Sequence, residues 1–182
     1  VLLGQALRQG GYDELAHEAF ARGEARGHRE AAMCLGNMLS DSGDTNAARH
    51  AYERAIRAGS TMAVLNLGLM LAQNGETEAA KRYLLDARSS GYTEACWAIG
   101  KLLETDGDLE EAGVYYREGA DAGDANAAYG LASTRYGLGD AEGAVVAFRR
   151  ARDLGHEGAG TMVEVLELSF AASGDTAEET DT

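Results

Sequence analysis

The chain has 182 residues, 30 of them Asp or Glu against 16 Lys or Arg, for a formal charge of -14. Phosphate backbones are bound by neutralising them with Lys and Arg, so a surface this acidic argues against nucleic acid and anionic membranes as partners. No apolar run approaches the ~20 residues of a membrane span, and no signal peptide opens the chain.

Apolar residues recur at helical spacing throughout, and nowhere do they alternate as in a strand. Helices are predicted over 1–9, 12–26, 29–41, 44–58, 61–73, 76–90, 93–105, 108–121, 125–137, 140–154 and 157–170. Glycines such as Gly43 and Gly59 follow these segments, where a left-handed residue ends a helix. Asp44, Asp108 and Asp140 come next as N-cap candidates, and Asp108 with Glu111 has the spacing of a capping box.

The helices repeat in pairs with a period of 32 residues. One column holds Leu3, Leu35, Leu67, Ile99, Leu131 and Val163; the next holds Gly4, Gly36, Gly68 and Gly100 before lapsing to Ala132. Another runs Ala16, Ala48, Ala80, Ala112 and Ala144, followed four residues on by Phe20, Tyr52, Leu84, Tyr116 and Phe148. Neither helix of a pair buries its apolar face alone, so stacking of neighbours must supply the stability. The fold class that follows is all-α, a right-handed α-solenoid of tandem helix-turn-helix repeats. Its units are 1–28, 29–60, 61–92, 93–124 and 125–156, with a final helix over 157–171. Residues 172–182, with four acidic residues and no Lys or Arg, are expected to form a disordered tail. Val1 falls four positions into a repeat, so a longer chain is expected and the absence of targeting signals carries little weight.

These columns resemble the tetratricopeptide repeat: Leu35-Gly36, Gly43, then Ala48, Tyr52 and Ala55 stand at that family's offsets. The likeness covers nearly all of residues 1–170. The period is 32 rather than 34 and the chain has no proline, while the ending Ala55 to Gly59 is more similar to Sel-one-like repeats. The resemblance implies a module that binds another protein or a peptide in its concave groove. The family's carboxylate clamp also needs lysines. Only Asn37 and Asn66 could fill any of its roles, and Lys81 and Lys101 are the only lysines in the chain, so that activity is not carried over.

Function is sought where the columns vary, on the side of each first helix opposite Leu35 and Leu39. Met33 and Asn37 lie there in one unit, Met62, Leu65 and Leu69 in the next, then Trp97 and Lys101, then Tyr129, Ser133 and Tyr136. Trp97, the only tryptophan, shares a column with Leu65 and Tyr129. An exposed apolar and aromatic strip marks a protein-binding surface; the other reading is that these side chains only pack between neighbouring first helices. Acidic rims at Glu30, Asp41, Glu94 and Glu104 favour a guest with basic residues beside its apolar anchors.

His28 and His156 read as tolerant turn positions, and His17 and His50 stand singly with no converging metal ligands. No nucleophile–base set, phosphate loop or carboxylate pair is present, so neither an enzyme nor a cofactor is expected. Cys34 and Cys96 fall in different columns two repeats apart and are expected as reduced thiols of a cytoplasmic protein. Two other readings stay open: a homo-oligomeric scaffold, because Val165 and Leu168 sit on the outward side of the last helix, or a sensor arm of a larger protein.

Overall fold

The computed structural model describes the backbone of residues 1–178 and the side chains of residues 1–170. Eleven helices account for these residues and no strand occurs among them. The chain divides into two compact units, Val1–Tyr92 and Thr93–Thr182.

Unit 1 contains α1 (Leu2–Gln9), α2 (Asp13–Ala25), α3 (Arg29–Asp41), α4 (Thr45–Arg57), α5 (Thr61–Gln73) and α6 (Thr77–Ser89). Each helix packs against the next in sequence, and α3 also touches α5. The first helices therefore form one layer and the second helices the other. A buried cluster of Ala16, Phe20, Cys34, Leu35 and Ala51 shows how the layers close, with α2, α3 and α4 sharing one core. Unit 2 repeats the pattern with α7 (Ala95–Asp106), α8 (Leu109–Asp121), α9 (Ala125–Gly137), α10 (Ala141–Asp153) and α11 (Ala159–Glu178). There α7 and α9 are the first helices in contact. Both units are all-α and built of the tandem 32-residue helix-turn-helix repeats that the columns predict.

The turns explain that period. Ten glycines, from Gly11 to Gly155, have positive φ, and they recur every 16 residues. At Gly43 the amide donates to the Ser40 carbonyl, and the next amide, Asp44 N–H, donates to the Leu39 carbonyl. This double closure is the Schellman motif, and it needs a left-handed residue that only glycine supplies cheaply. The same pair of bonds closes each of the ten turns. Turns within and between repeats are thus alike, and a proline-marked inter-repeat turn is not needed.

The caps follow the prediction in part. Asp44 Oδ1 accepts from Ala47 N–H at 3.0 Å and Asp140 Oδ1 from Gly143 N–H at 2.8 Å. Asp108 stands at the N-cap of α8 but makes no side-chain cap bond, which corrects the expected capping box. Asp124 and Ser60 cap α9 and α5 instead. At the C-terminal end the helix runs to Glu178, so the boundary expected at 171 falls inside α11. Ala171, Ala172, Ala177 and Glu178 favour a helix there against Ser173, Gly174, Asp175 and Thr176, and no proline interrupts it. Residues 179–182 of the expected tail lie outside the described residues. Cys34 and Cys96 are both buried, and neither forms a disulfide.

Candidate functional site

In unit 2 the site is assembled around Tyr116. The ring enters from α8 between two first helices, and it can do so because both present glycine. A Cβ on Gly100 of α7 would stand 2.5 Å from Tyr116 Cε1, and one on Gly130 of α9 would stand 2.7 Å from the same atom. The ring is fully buried, yet its hydroxyl reaches the groove and donates to Glu104 Oε2 at 2.8 Å. Lys101 Nζ donates to the same oxygen at 2.9 Å. Burial pushes the Glu104 carboxyl up, but the bonds from Lys101 and Tyr116 outweigh it and hold the group below its usual value. Burial, and then the bond to Glu104, raise the Tyr116 phenol. A depressed carboxyl stabilises the fold above its unfolded pKa, and this contribution is lost as pH falls through the folded value. Unit 2 should therefore weaken below about pH 4, and Glu104→Gln should flatten that part of a melting-temperature profile against pH.

Above this floor Trp97, Lys101, Glu104, Tyr129, Ser133 and His156 line a cavity of about 250 Å³. Tyr129 is half-buried, stacked on His156 with centroids 4.1 Å apart and edge-on to Phe148 at 5.1 Å. His156 Nδ1 in turn accepts from Gly158 N–H at 3.3 Å. Trp97 remains 37% exposed. Of the three aromatic residues expected in the strip, Tyr129 is largely used in packing, whereas Trp97 and Tyr136 are exposed.

Unit 1 has the same skeleton with other chemistry. Tyr52, the counterpart of Tyr116, is buried against Gly36, and its hydroxyl donates to Asn37 Oδ1 at 2.9 Å. Asn66 Nδ2 donates to the same oxygen at 2.9 Å. Burial is the main cause that lifts the Tyr52 phenol to about 12, with the Asp41 charge adding to it. A cavity of about 340 Å³ lies over this network, with Leu69 and Gln73 on one side and Ser40 and Asp41 on the other.

The ten residues expected to contact a partner therefore separate. Trp97, Lys101, Tyr129 and Ser133 share the cavity of unit 2, and Asn37 and Leu69 share that of unit 1. Tyr136 and Met62 are 53% and 46% exposed and line neither. Met33 is half-buried against the core and accepts from Ser60 Oγ at 3.8 Å. Leu65 is a correction: it is only 7% exposed. Its helix, α5, packs on α3, α4 and α6, which is where a helix apolar on nearly every side belongs. The acidic rim is also less free than its sequence suggests. Asp41 is paired with Arg8, Glu104 with Lys101 and Glu30 loosely with Arg29.

Sequence reasoning missed His156 as a stacking partner and the hydroxyls of Tyr52 and Tyr116 as groove groups. A signal existed for the hydroxyls. The second-helix column reads Phe20, Tyr52, Leu84, Tyr116, Phe148, and a tyrosine in a core column needs a bonding partner.

The sequence profile of the tetratricopeptide repeat matches residues 30–58 and 93–122. No curated protein sequence matches the chain. Among solved structures it is similar to MamA, at 22% identity over 86% of this chain and 96% of that one, with a TM-score of 0.71. It is similar to YrrB, described as a TPR protein with an unusual peptide-binding site, at 22% identity over 93% and 88%, TM-score 0.64. A third is c5321, a protective antigen of uropathogenic Escherichia coli strains displaying an SLR fold, at 24% identity over 92% of this chain and 40% of that one, TM-score 0.75. The profile thus matches two single repeats, and the likeness to these structures is one of fold: tandem helix pairs of the tetratricopeptide-like and Sel-one-like kind.

Proposed function

We propose that the chain is a protein-interaction module whose unit 2 groove receives an apolar anchor from a peptide or helix of a partner protein. The observation that carries this reading is Trp97, more than a third exposed in the lining of a cavity whose Lys101, Glu104 and Tyr116 are already bonded to one another. About 250 Å³ suits one aliphatic or aromatic side chain rather than a small-molecule substrate. Large aromatic residues in partly desolvated pockets carry much of the energy of protein interfaces. The likeness to a structure described as having a peptide-binding site supports the same class of function. Glu104, Lys101 and Tyr116 hold one another in place, which suits a structural floor rather than acid–base work, so the chain is read as non-enzymatic. Two buried cysteines outside any disulfide suit a reducing compartment such as the cytoplasm.

Trp97 is the only tryptophan, so its fluorescence reports directly on the groove. A partner captured by the native chain should shift that emission and should be lost with Trp97→Ala. The variant's melting temperature should move by no more than ~4 °C, the equivalent of about 1 kcal/mol in a chain of this size. Retained capture with a larger drop in melting temperature would favour packing as the sole role of Trp97.

A second reading is self-assembly through α11, where Val165, Leu168 and Phe170 are 53%, 70% and 42% exposed. Mass in solution that stays monomeric as concentration rises would exclude it.

A further inference from the structure

The edge of unit 2 where first helices turn into second helices carries two leucines that the repeat does not call for. Leu109 opens α8 in a column otherwise filled by Asp13, Thr45, Thr77 and Ala141. Leu138 follows α9 in a column of Gly10, Ser42, Asn74 and Asp106. These are surface positions, where solvation favours the small and polar residues that the other repeats have. Leu138 is 52% exposed. Leu109 is half-buried because it reaches over the end of α9, where a Cβ on Gly137 would stand 3.8 Å from its Cδ1. The two leucines line one cavity of about 520 Å³ together with Asp108, Glu110 and Glu111. It shares no residue with the Trp97 cavity.

The carboxylates beside these leucines are not engaged elsewhere. Asp44, Asp124 and Asp140 turn theirs back to cap their helices, whereas Asp108 makes no cap bond. Among the described residues Asp108, Glu110 and Glu111 enter no ion pair, and no Lys or Arg lines the cavity. The helix dipole accounts for acidic residues in a first turn, but not for leucines next to them. An apolar seat ringed by three uncompensated negative charges repels an acidic guest and attracts a basic one.

We propose that this edge groove of unit 2 docks a partner-protein segment that lays an aliphatic or aromatic side chain on Leu109 and Leu138 and sets Lys or Arg against Asp108, Glu110 and Glu111. The surface is separate from the Trp97 pocket, so the proposal goes beyond that reading and does not depend on it. Both halves of the guest are needed. Exposed ion pairs alone are worth little, and an apolar guest without basic residues leaves the three carboxylates uncompensated.

The test displays random ten-residue peptides and selects them on the full chain, with counter-selection on the double variant Leu109→Thr/Leu138→Ser. That variant reproduces the residues of neighbouring repeats, Thr77 and Ser42, so the fold is spared. Should Leu109→Thr lower the melting temperature, Leu138→Ser alone serves, because Leu138 lies beyond the last residue of α9. The enriched peptides are expected to carry an apolar residue with Lys or Arg close by in sequence. Their affinity should fall about tenfold or more when those basic residues are replaced by Glu, and equally on the triple variant Asp108→Asn/Glu110→Gln/Glu111→Gln. It should also weaken as salt is raised. Trp97→Ala should bind them as the native chain does, which leaves the edge groove standing whatever becomes of the Trp97 pocket. The proposal is overturned if nothing is enriched, if the enriched peptides lack Lys and Arg, or if the triple variant binds them undiminished. Loss of the peptides with Trp97→Ala would assign them to the Trp97 cavity and overturn it too. If mass in solution rises with concentration for the native chain and not for Leu138→Ser, a second copy fills the groove and the partner segment is excluded.

Discussion

Tyr116→Ala is expected to cost unit 2 about 3–5 kcal/mol, as truncation of a fully buried aromatic ring does. The ring fills space that its neighbours are unable to close. Gly100 and Gly130 flank it, and a glycine has no side chain to swing into a void. The lost hydroxyl also takes one of two donors from Glu104. Tyr116→Phe separates the two effects, since it keeps the ring and removes only the bond, for a loss of about 1 kcal/mol. Chemical denaturation of the three proteins measures the series. If the alanine variant lost no more than the phenylalanine variant, the ring would not be the keystone of the unit 2 floor.

The second large effect is one of sign. Gly100→Ala and Gly113→Ala place the same methyl group on neighbouring helices of unit 2, and each gains about 1 kcal/mol of helix propensity. At Gly113 the new Cβ would meet Thr134 Cγ2 at 3.6 Å, an ordinary contact, so that variant should be more stable than the native chain. At Gly100 it would lie 2.5 Å from Tyr116 Cε1 and 2.6 Å from Cδ1. Retreat of the ring is blocked by Gly130, which is as close on α9. Overpacking costs about 1–3 kcal/mol, and with no escape the upper part of that range applies, leaving a net loss near 2 kcal/mol. In the Tyr116→Ala background the same Gly100→Ala change should become neutral or favourable, because what it collides with has gone. A loss that persisted there would mean the collision is with something other than the ring.

How far the molecule can be read from its residues differs between fold and site. Periodicity places every helix because a repeat states each element several times over, and one ambiguous turn is corrected by its copies. Gly36, Gly68 and Gly100 declare a close approach for the same reason, and the structure puts Tyr52, Leu84 and Tyr116 against them. The site is legible only where a column breaks its own rule. Trp97 does so and emerges at the groove. Leu65 shares its column but sits in a helix packed on three others, and sequence spacing does not report how many neighbours a helix has. His156 was unreadable because its role depends on a ring two turns of chain away, Tyr129, rather than on its own column.

The sixteen-residue beat of left-handed glycines has a bearing on how such a protein can change over time. Every joint between helices is closed by the same two bonds, so the chain can be cut at one joint and spliced at another without inventing a new connector. Gain or loss of a 32-residue stretch would then add or remove a whole helix pair while leaving each seam chemically unchanged. Size becomes a loosely held trait in such a lineage, and what selection must guard is the handful of positions where one copy has ceased to resemble the others.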